Sequence, residues 1–291
     1  MGTHKVNSIK TILKPRDKDI GDFSVRRALP FVKQRSIGPW IFFDHFGPVS
    51  FKPGQGINVR PHPHINLATV TYLFEGEIYH RDTLGNALAI LPGAINLMVA
   101  GKGIAHSERT RDKLRQTGYD LHGLQLWHAL PEDCEEIDPA FYHTPTEDIP
   151  TLELDGVKIR VMMGTAFGVT SPVKIYSPNI YIEAEMEDGA EFSVPDAEEL
   201  GVYVVKGEAQ IDSETAPINS MAVLEPSAKT IKAVGQTRLA IIGGAPLGHR
   251  YLEWNFASLR KDRIEQAKED WAAGRFGLVP GDEDEAIPLP S

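Results

Sequence analysis

Apolar and polar positions along this 291-residue chain alternate in short runs broken by Gly, Pro, Asn and Asp, as in "ATVTYLFEGEIYHRDTLGNALAILPGAINLMVAG" from Ala68 to Gly101. Runs of about four to eight residues at that spacing predict β-strands, and a long series of them predicts an all-β sandwich or barrel. "DTLGN" and "LPGA" supply turns, because glycine takes positive φ without steric cost. The same texture occurs twice. "YLFEGEIYH" from Tyr72 matches "YVVKGEAQI" from Tyr203, setting Gly76-Glu77 on Gly207-Glu208 at an offset of 131. "LAILPGAINLMVAG" (Leu88 to Gly101) likewise resembles "MAVLEPSAKTIKAVG" (Met221 to Gly235) as strand, proline turn and strand. Each half therefore reads as one copy of a single β-unit.

The division is expected near Pro150, giving one domain over 1–150 and a second over 151–291, where "DGVKIRVMMG" opens a new series of strands. After Gly248 the period lengthens to that of a helix, over about 258–273. Ser258 is the expected N-cap, Leu259, Ile264, Ala267 and Trp271 form its apolar stripe, and Gly274 ends it. The tail "LVPGDEDEAIPLPS" is expected to be extended.

Composition narrows the function. Apolar residues make up 42% of the chain, enough for sizeable cores, and the formal net charge is −10. An acidic chain lacks the clustered basic surface that direct nucleic-acid binding needs. No uncharged run approaches the roughly 20 residues that cross a bilayer, and the N-terminus shows no apolar leader run, so the expected location is the cytoplasm without membrane attachment. The single cysteine, Cys134, cannot form an intrachain disulfide, and its acidic neighbours in "LPEDCEEID" raise a thiol pKa, so it reads as inert.

Two short stretches carry the candidate chemistry. "RPHPH" places His62 and His64 two residues apart, and "GIAHSER" repeats that spacing with His106 and Glu108. On a strand, residues two apart share a face. If both strands belong to one small barrel and both pairs point inward, three imidazoles and a carboxylate converge, a donor set suited to a divalent first-row metal. Pro61 and Pro63 remove backbone donors and place the first pair at a strand start or sheet edge. Four protein ligands leave open positions on a six-coordinate metal, as catalysis requires. In the second half the same offset sets Ser193 and Pro195 against the first pair, and Thr237 and Leu239 or near neighbours against the second, so the metal chemistry is expected in one copy only.

With these residues in place, the chain resembles the bicupins, and specifically the pirin family. The first cupin motif runs from Gly56 through His62-Pro63-His64 to Gly76, and the second centres on Pro92-Gly93 and ends in "AGKGIAHSE". The likeness extends through "VRRALP", "FFDHFGP", "TVTYLFEGE", "YHRDTLGN", "HGLQLW" and "VPGDEDE". It implies two tandem cupin β-barrels with a C-terminal helix, and one divalent metal in the first barrel on His62, His64, His106 and Glu108. Iron(II) is the leading metal, with nickel, copper, manganese and zinc as alternatives. Two positions depart from many pirins: Ala68 stands where they carry glutamate, and Ile65 where they carry arginine.

The resemblance implies a flavonol (quercetin) 2,3-dioxygenase activity on a small aromatic substrate, with Glu108 doubling as proton acceptor. The alternative it implies is a metal- and redox-dependent regulatory protein that binds transcription factors or metabolic enzymes; a vestigial site is a third reading. The remaining histidines read as structural, His80 as a turn or surface residue and His122 and His128 as strand residues without a carboxylate partner. Arg26 and Arg27 read as a solvated loop pair. Val70, Tyr72 and Phe74 continue the parity of the HPH pair and are expected to line the interior, unless a bulge between Ile65 and Leu67 reverses it.

Overall fold

The computed structural model describes residues 7–21 and 23–290. Residues 1–6, part of the segment read for a leader, lie outside the described residues. Strands dominate, and the chain divides into two compact units, each assembled from three segments. Of the described residues, one contains 44–146 with 18–21, 23–25 and 247–290; the other contains 147–246 with 7–17 and 26–43. The termini therefore do not follow the expected division into 1–150 and 151–291. The strand Ile9–Leu13 pairs with Met221–Leu224 in the unit of the second copy, while residues 247–291, helix included, belong to the unit of the first.

In the first unit, a four-stranded sheet runs Asn58–His64, Ile104–Arg109, Ile78–Asp82, Ala87–Ile90, all antiparallel. A second sheet carries Ala140–Thr144, Ile95–Val99, Leu67–Glu75 and Tyr119–Ala129 in that order. The two face each other, since Leu73 and Leu121 of the second share an apolar cluster with Ile78 and Ile90 of the first. The HPH strand is an edge, where its prolines cost no ladder bond. Between His64 and Leu67 the chain breaks at Asn66, whose φ is 59°. That break inverts the side-chain parity, so Leu73 joins the interior cluster and Tyr72 and Phe74 do not. The reversing bulge is the alternative realised here.

The other unit is, among the described residues, built on a nine-stranded sheet with the path Ile9–Leu13, Met221–Leu224, Glu199–Ile211, Thr230–Gly244, Asn179–Met186, Val157–Met163, Thr151–Leu154, with Glu191–Ser193 and Glu214–Ala216 paired off it. It also holds the small hairpin of Thr165–Ala166 with Val169–Thr170. Its interior is apolar, with Val161, Ile182, Val202, Val204, Ile231, Leu239 and Ile241 fully buried together. Each such side chain contributes on the order of 1.5–3 kcal/mol by leaving water.

Hydrogen-bonded partners show how the copies correspond. Glu108 faces His80 on the neighbouring strand. The offset of 131 sets His80 on Ile211, and Ile211 faces Ile231. The counterpart of Glu108 is thus Ile231 rather than Leu239, and that of His106 falls two residues earlier, at Lys229 rather than Thr237. The constant offset ends at a hairpin that takes residues 83–86 in one copy and only 212–213 in the other. By the same pairing, Met221–Leu224 answers to Ile95–Val99, not to the strand before it.

The helix runs Lys261–Ala272, shorter than expected at its start. Ser258 ends the strand Phe256–Ser258 and accepts the Arg260 N–H instead of capping the helix. Ile264 and Ala267 are its buried face, packed on Ile65 and Phe256, and Gly274 closes it at φ 71°. Arg26 and Arg27 lie half-buried in the strand Ser24–Leu29, with the Arg27 guanidinium 4.4 Å from the Phe42 ring centroid, rather than in a solvated loop. No helix of the described residues is long and apolar enough to cross a membrane.

The aligned glycines play one role in both copies. Gly76 has φ 90° and Gly207 φ 76°, and a Cβ at either would meet a backbone carbonyl, Asp120 O at 2.3 Å or Gln236 O at 2.6 Å. Gly76→Ala is expected to lower stability by roughly 2 kcal/mol or more, from positive φ and the clash together. Gly189→Ala, also at positive φ but facing open space, should cost about 1 kcal/mol. Urea denaturation of both variants checks the order, and equal losses would show that the close approach to Asp120 is unimportant.

Candidate metal centre

The HPH strand and the strand Ile104–Arg109 are antiparallel neighbours in which His62 lies directly opposite His106, and His64 opposite Ile104. All four therefore share one face. Between His106 and Glu108 the register shifts by one residue, with Arg60 and Pro61 standing opposite Ser107 alone. The bulge falls where Pro61 has no N–H to offer. His106 and Glu108 keep their spacing on the unbulged strand and face Asp82 and His80 on its other side.

His62, His64 and His106 are 7%, 1% and 2% exposed, and each offers a ring nitrogen within 4.8 Å of the others. Nε2 of His64 and Nε2 of His106 are 3.1 Å apart, and the His62 and His106 ring centroids 4.3 Å. Burial holds all three neutral: His62 is lowered to about 4, and His64 and His106 lie well below the ordinary value, with desolvation the largest cause and neighbouring imidazoles adding to it. A neutral imidazole is the form that binds metal. The Nδ1–H of His62 donates to Arg60 O at 2.9 Å and that of His64 to Asn255 O at 3.2 Å. These bonds select the tautomer that leaves Nε2 bare.

Glu108 is not part of that close group of three. Its Oε1 is sealed from solvent without a hydrogen-bond partner, and burial pushes its carboxyl up to about 7. A sealed, unpartnered carboxylate oxygen on the same sheet face as three neutral imidazoles is what a cation would satisfy. The donor set thus fits a divalent metal.

His80 is not the turn or surface residue expected. It lies in the strand Ile78–Asp82, 2% exposed, with Nδ1 3.4 Å from Nδ1 of His106 and Nε2 donating to Asp82 Oδ2 at 3.0 Å. "HRD" carries the same two-residue spacing as "HPH" and "HSE", and that was the signal for it. Trp127 packs edge-on against His64 at 5.0 Å, and Phe141 lies 4.6 Å from His80, ring centroid to centroid. Nothing local in the sequence marks these aromatic walls. Ala68 pairs with His128 and Val99, on the opposite face from Thr69 and its partner Trp127. The position of the missing glutamate therefore points away from the histidines. Ile65 packs on Phe256 and the C-terminal helix. His122 and His128 stay apart from the cluster, His122 with Nε2 2.8 Å from Nε2 of His45 and His128 fully buried on Ala129 O.

A β-barrel with a buried histidine cluster, together with a second β-unit of corresponding strand pairing, defines a bicupin built for a divalent metal. Two family models cover most of the chain, pirin over residues 22–128 and the pirin C-terminal cupin domain over 181–277. A pirin-like protein of Caulobacter vibrioides is 45% identical, over 97% of this chain and 99% of its own. The solved quercetin 2,3-dioxygenase of Acinetobacter baumannii superposes with a TM-score of 0.89 at 34% identity, covering 97% of this chain and 95% of its own. The Escherichia coli pirin YhhW, solved in complex with nickel(II), shares the fold with a TM-score of 0.64 at 20% identity, covering 81% of this chain and 99% of its own. The chain belongs to the pirin family.

His128 yields a test of buried neutrality away from the metal cluster. Burial lowers it from 6.5 to about 4. Between those values the unfolded chain binds more protons than the folded one, so stability rises with pH across the window. The contribution is complete above about 6.5 and is lost as pH falls through about 4, at most about 3 kcal/mol in all. The metal-free His128→Gln variant should therefore lose about 2 kcal/mol less than the parent between about pH 7.5 and about pH 5, measured by urea denaturation. Identical losses would exclude His128 as the group.

Proposed function

We propose that this protein is a metal-dependent oxygenase of the quercetin 2,3-dioxygenase type. In this reading His62, His64, His106 and Glu108 hold one divalent transition metal, iron(II) foremost, and the substrate is a flavonol-like aromatic. The observation that carries it is the meeting of three buried neutral imidazoles, on a sheet face that also carries the unpartnered Oε1 of Glu108. The relatives named for quercetin dioxygenation support the substrate class.

When bound, the metal supplies Lewis acidity to a deprotonated substrate oxygen and open positions where dioxygen and the ring can meet. The chain's own residues do the rest. Arg60 O and Asn255 O keep His62 and His64 in the tautomer that offers Nε2. Trp127 holds the His64 ring from the side and, with Phe141, gives the interior an aromatic lining. Glu108 accepts the proton from the substrate hydroxyl on the carboxylate oxygen that does not hold the metal.

Protein loaded separately with iron, nickel, copper, manganese and zinc should consume quercetin in air with release of carbon monoxide for at least one metal, and His62→Ala should fall to the metal-free background. Absence of turnover with every metal sinks the oxygenase assignment. Stoichiometric metal uptake in that case would favour the metal-dependent regulatory role.

A further inference from the structure

An imidazole that presents Nε2 to a metal needs an outer acceptor at Nδ1 to fix its tautomer and ring direction. For His62 and His64 those acceptors are the backbone carbonyls of Arg60 and Asn255. His106 differs, because the group at its Nδ1 is another side chain, His80, at 3.4 Å. His80 is itself directed. Its Nε2–H donates to Asp82 Oδ2 at 3.0 Å, which leaves its Nδ1 as a bare acceptor.

Asp82 is fully buried and is held on both oxygens. Oδ1 accepts the backbone N–H of Leu84 at 2.9 Å and of Asn86 at 3.1 Å, and the Asn86 side chain donates to both oxygens, at 3.1 Å to Oδ1 and 2.9 Å to Oδ2. These bonds close the turn between the strands Ile78–Asp82 and Ala87–Ile90. Strand register completes the arrangement, with His106 opposite Asp82 and Glu108 opposite His80. A hydrogen-bonded chain thus runs from a rigid turn to the outer nitrogen of a candidate metal ligand.

We propose that His80, oriented by Asp82, is the positioning residue for His106: its Nδ1 accepts the Nδ1–H of His106 and so aims His106 Nε2 at the metal. The inference rests on the metal-centre reading above and adds a residue outside its ligand set. Two substitutions separate the hydrogen bond from simple packing. His80→Phe keeps a ring against Phe141 but removes the acceptor. His80→Gln restores both functions, with an oxygen for His106 and an N–H for Asp82.

Cobalt(II) serves as the probe. Parent and variants, shown to fold by their circular dichroism, are titrated with cobalt(II), and the exchangeable, paramagnetically shifted ring N–H signals of the bound histidines are recorded by NMR. The parent should bind one cobalt(II) and show three such signals. His80→Phe should bind roughly 10–100-fold more weakly and lose one signal to fast exchange with solvent. His80→Gln should recover most of both. If the parent binds cobalt(II) and His80→Phe matches it in affinity and in all three signals, the positioning role is overturned while the metal centre stands. A parent that takes up no cobalt(II) overturns both.

Discussion

Three imidazoles stand within a few ångströms of one another inside a β-barrel, and they can do so only without charge. Desolvation and mutual repulsion both disfavour protonation there, so the cluster is held as three neutral rings, each with a ring nitrogen within 4.8 Å of the others. Much of the first unit follows from keeping that arrangement in place. The proline-bearing edge strand, the bulge opposite Ser107 and the break at Asn66 each set where a side chain aims. The outer hydrogen bonds at Nδ1 set which nitrogen it presents.

The C-terminal segment is part of this support. Asn255 supplies the carbonyl for His64 from 191 positions away, and the buried carboxylate of Glu135 secures the neighbouring chain. Glu135 accepts the N–H of Leu259 at 3.1 Å, binds Arg250 at 2.9 Å, and bonds Asn66 and Ser258 at 3.3 Å. Ile65 belongs to the same assembly. The residue next to the second histidine is spent on packing against Phe256, Ile264 and Ala267. Where many pirins place an arginine, this chain anchors its helix.

The two copies of the β-unit show what a polar site does to a core. Ile211 and Ile231 occupy the places of His80 and Glu108 and simply pack, inside an interior of valine, isoleucine and leucine. The first copy gives up that apolar volume for six ionisable side chains on one sheet face, His62, His64, His80, Asp82, His106 and Glu108. It satisfies His62, His64, His80 and Asp82 through identifiable partners and leaves one oxygen of Glu108 unsatisfied. Local departures from core-packing rules of this kind concentrate at functional sites.

Local pattern was enough to determine the all-β class, the twofold β-unit, the C-terminal helix and the residue types of the candidate centre, because strand alternation and ligand spacing are properties of a few neighbouring positions. HPH and HSE announced themselves in this way, and the third pair, His80 with Asp82, was equally legible in its spacing though it looked like a turn. What no local pattern held was the pairing of distant strands. Only tertiary structure decided that Glu108 would face His80, that Ile231 would stand in its place in the second copy, and that the break at Asn66 would turn Tyr72 away from the interior. The same holds for the exchanged termini and for Asn255 at His64: both depend on where a strand or a carbonyl finds an open partner, which the folded backbone alone creates.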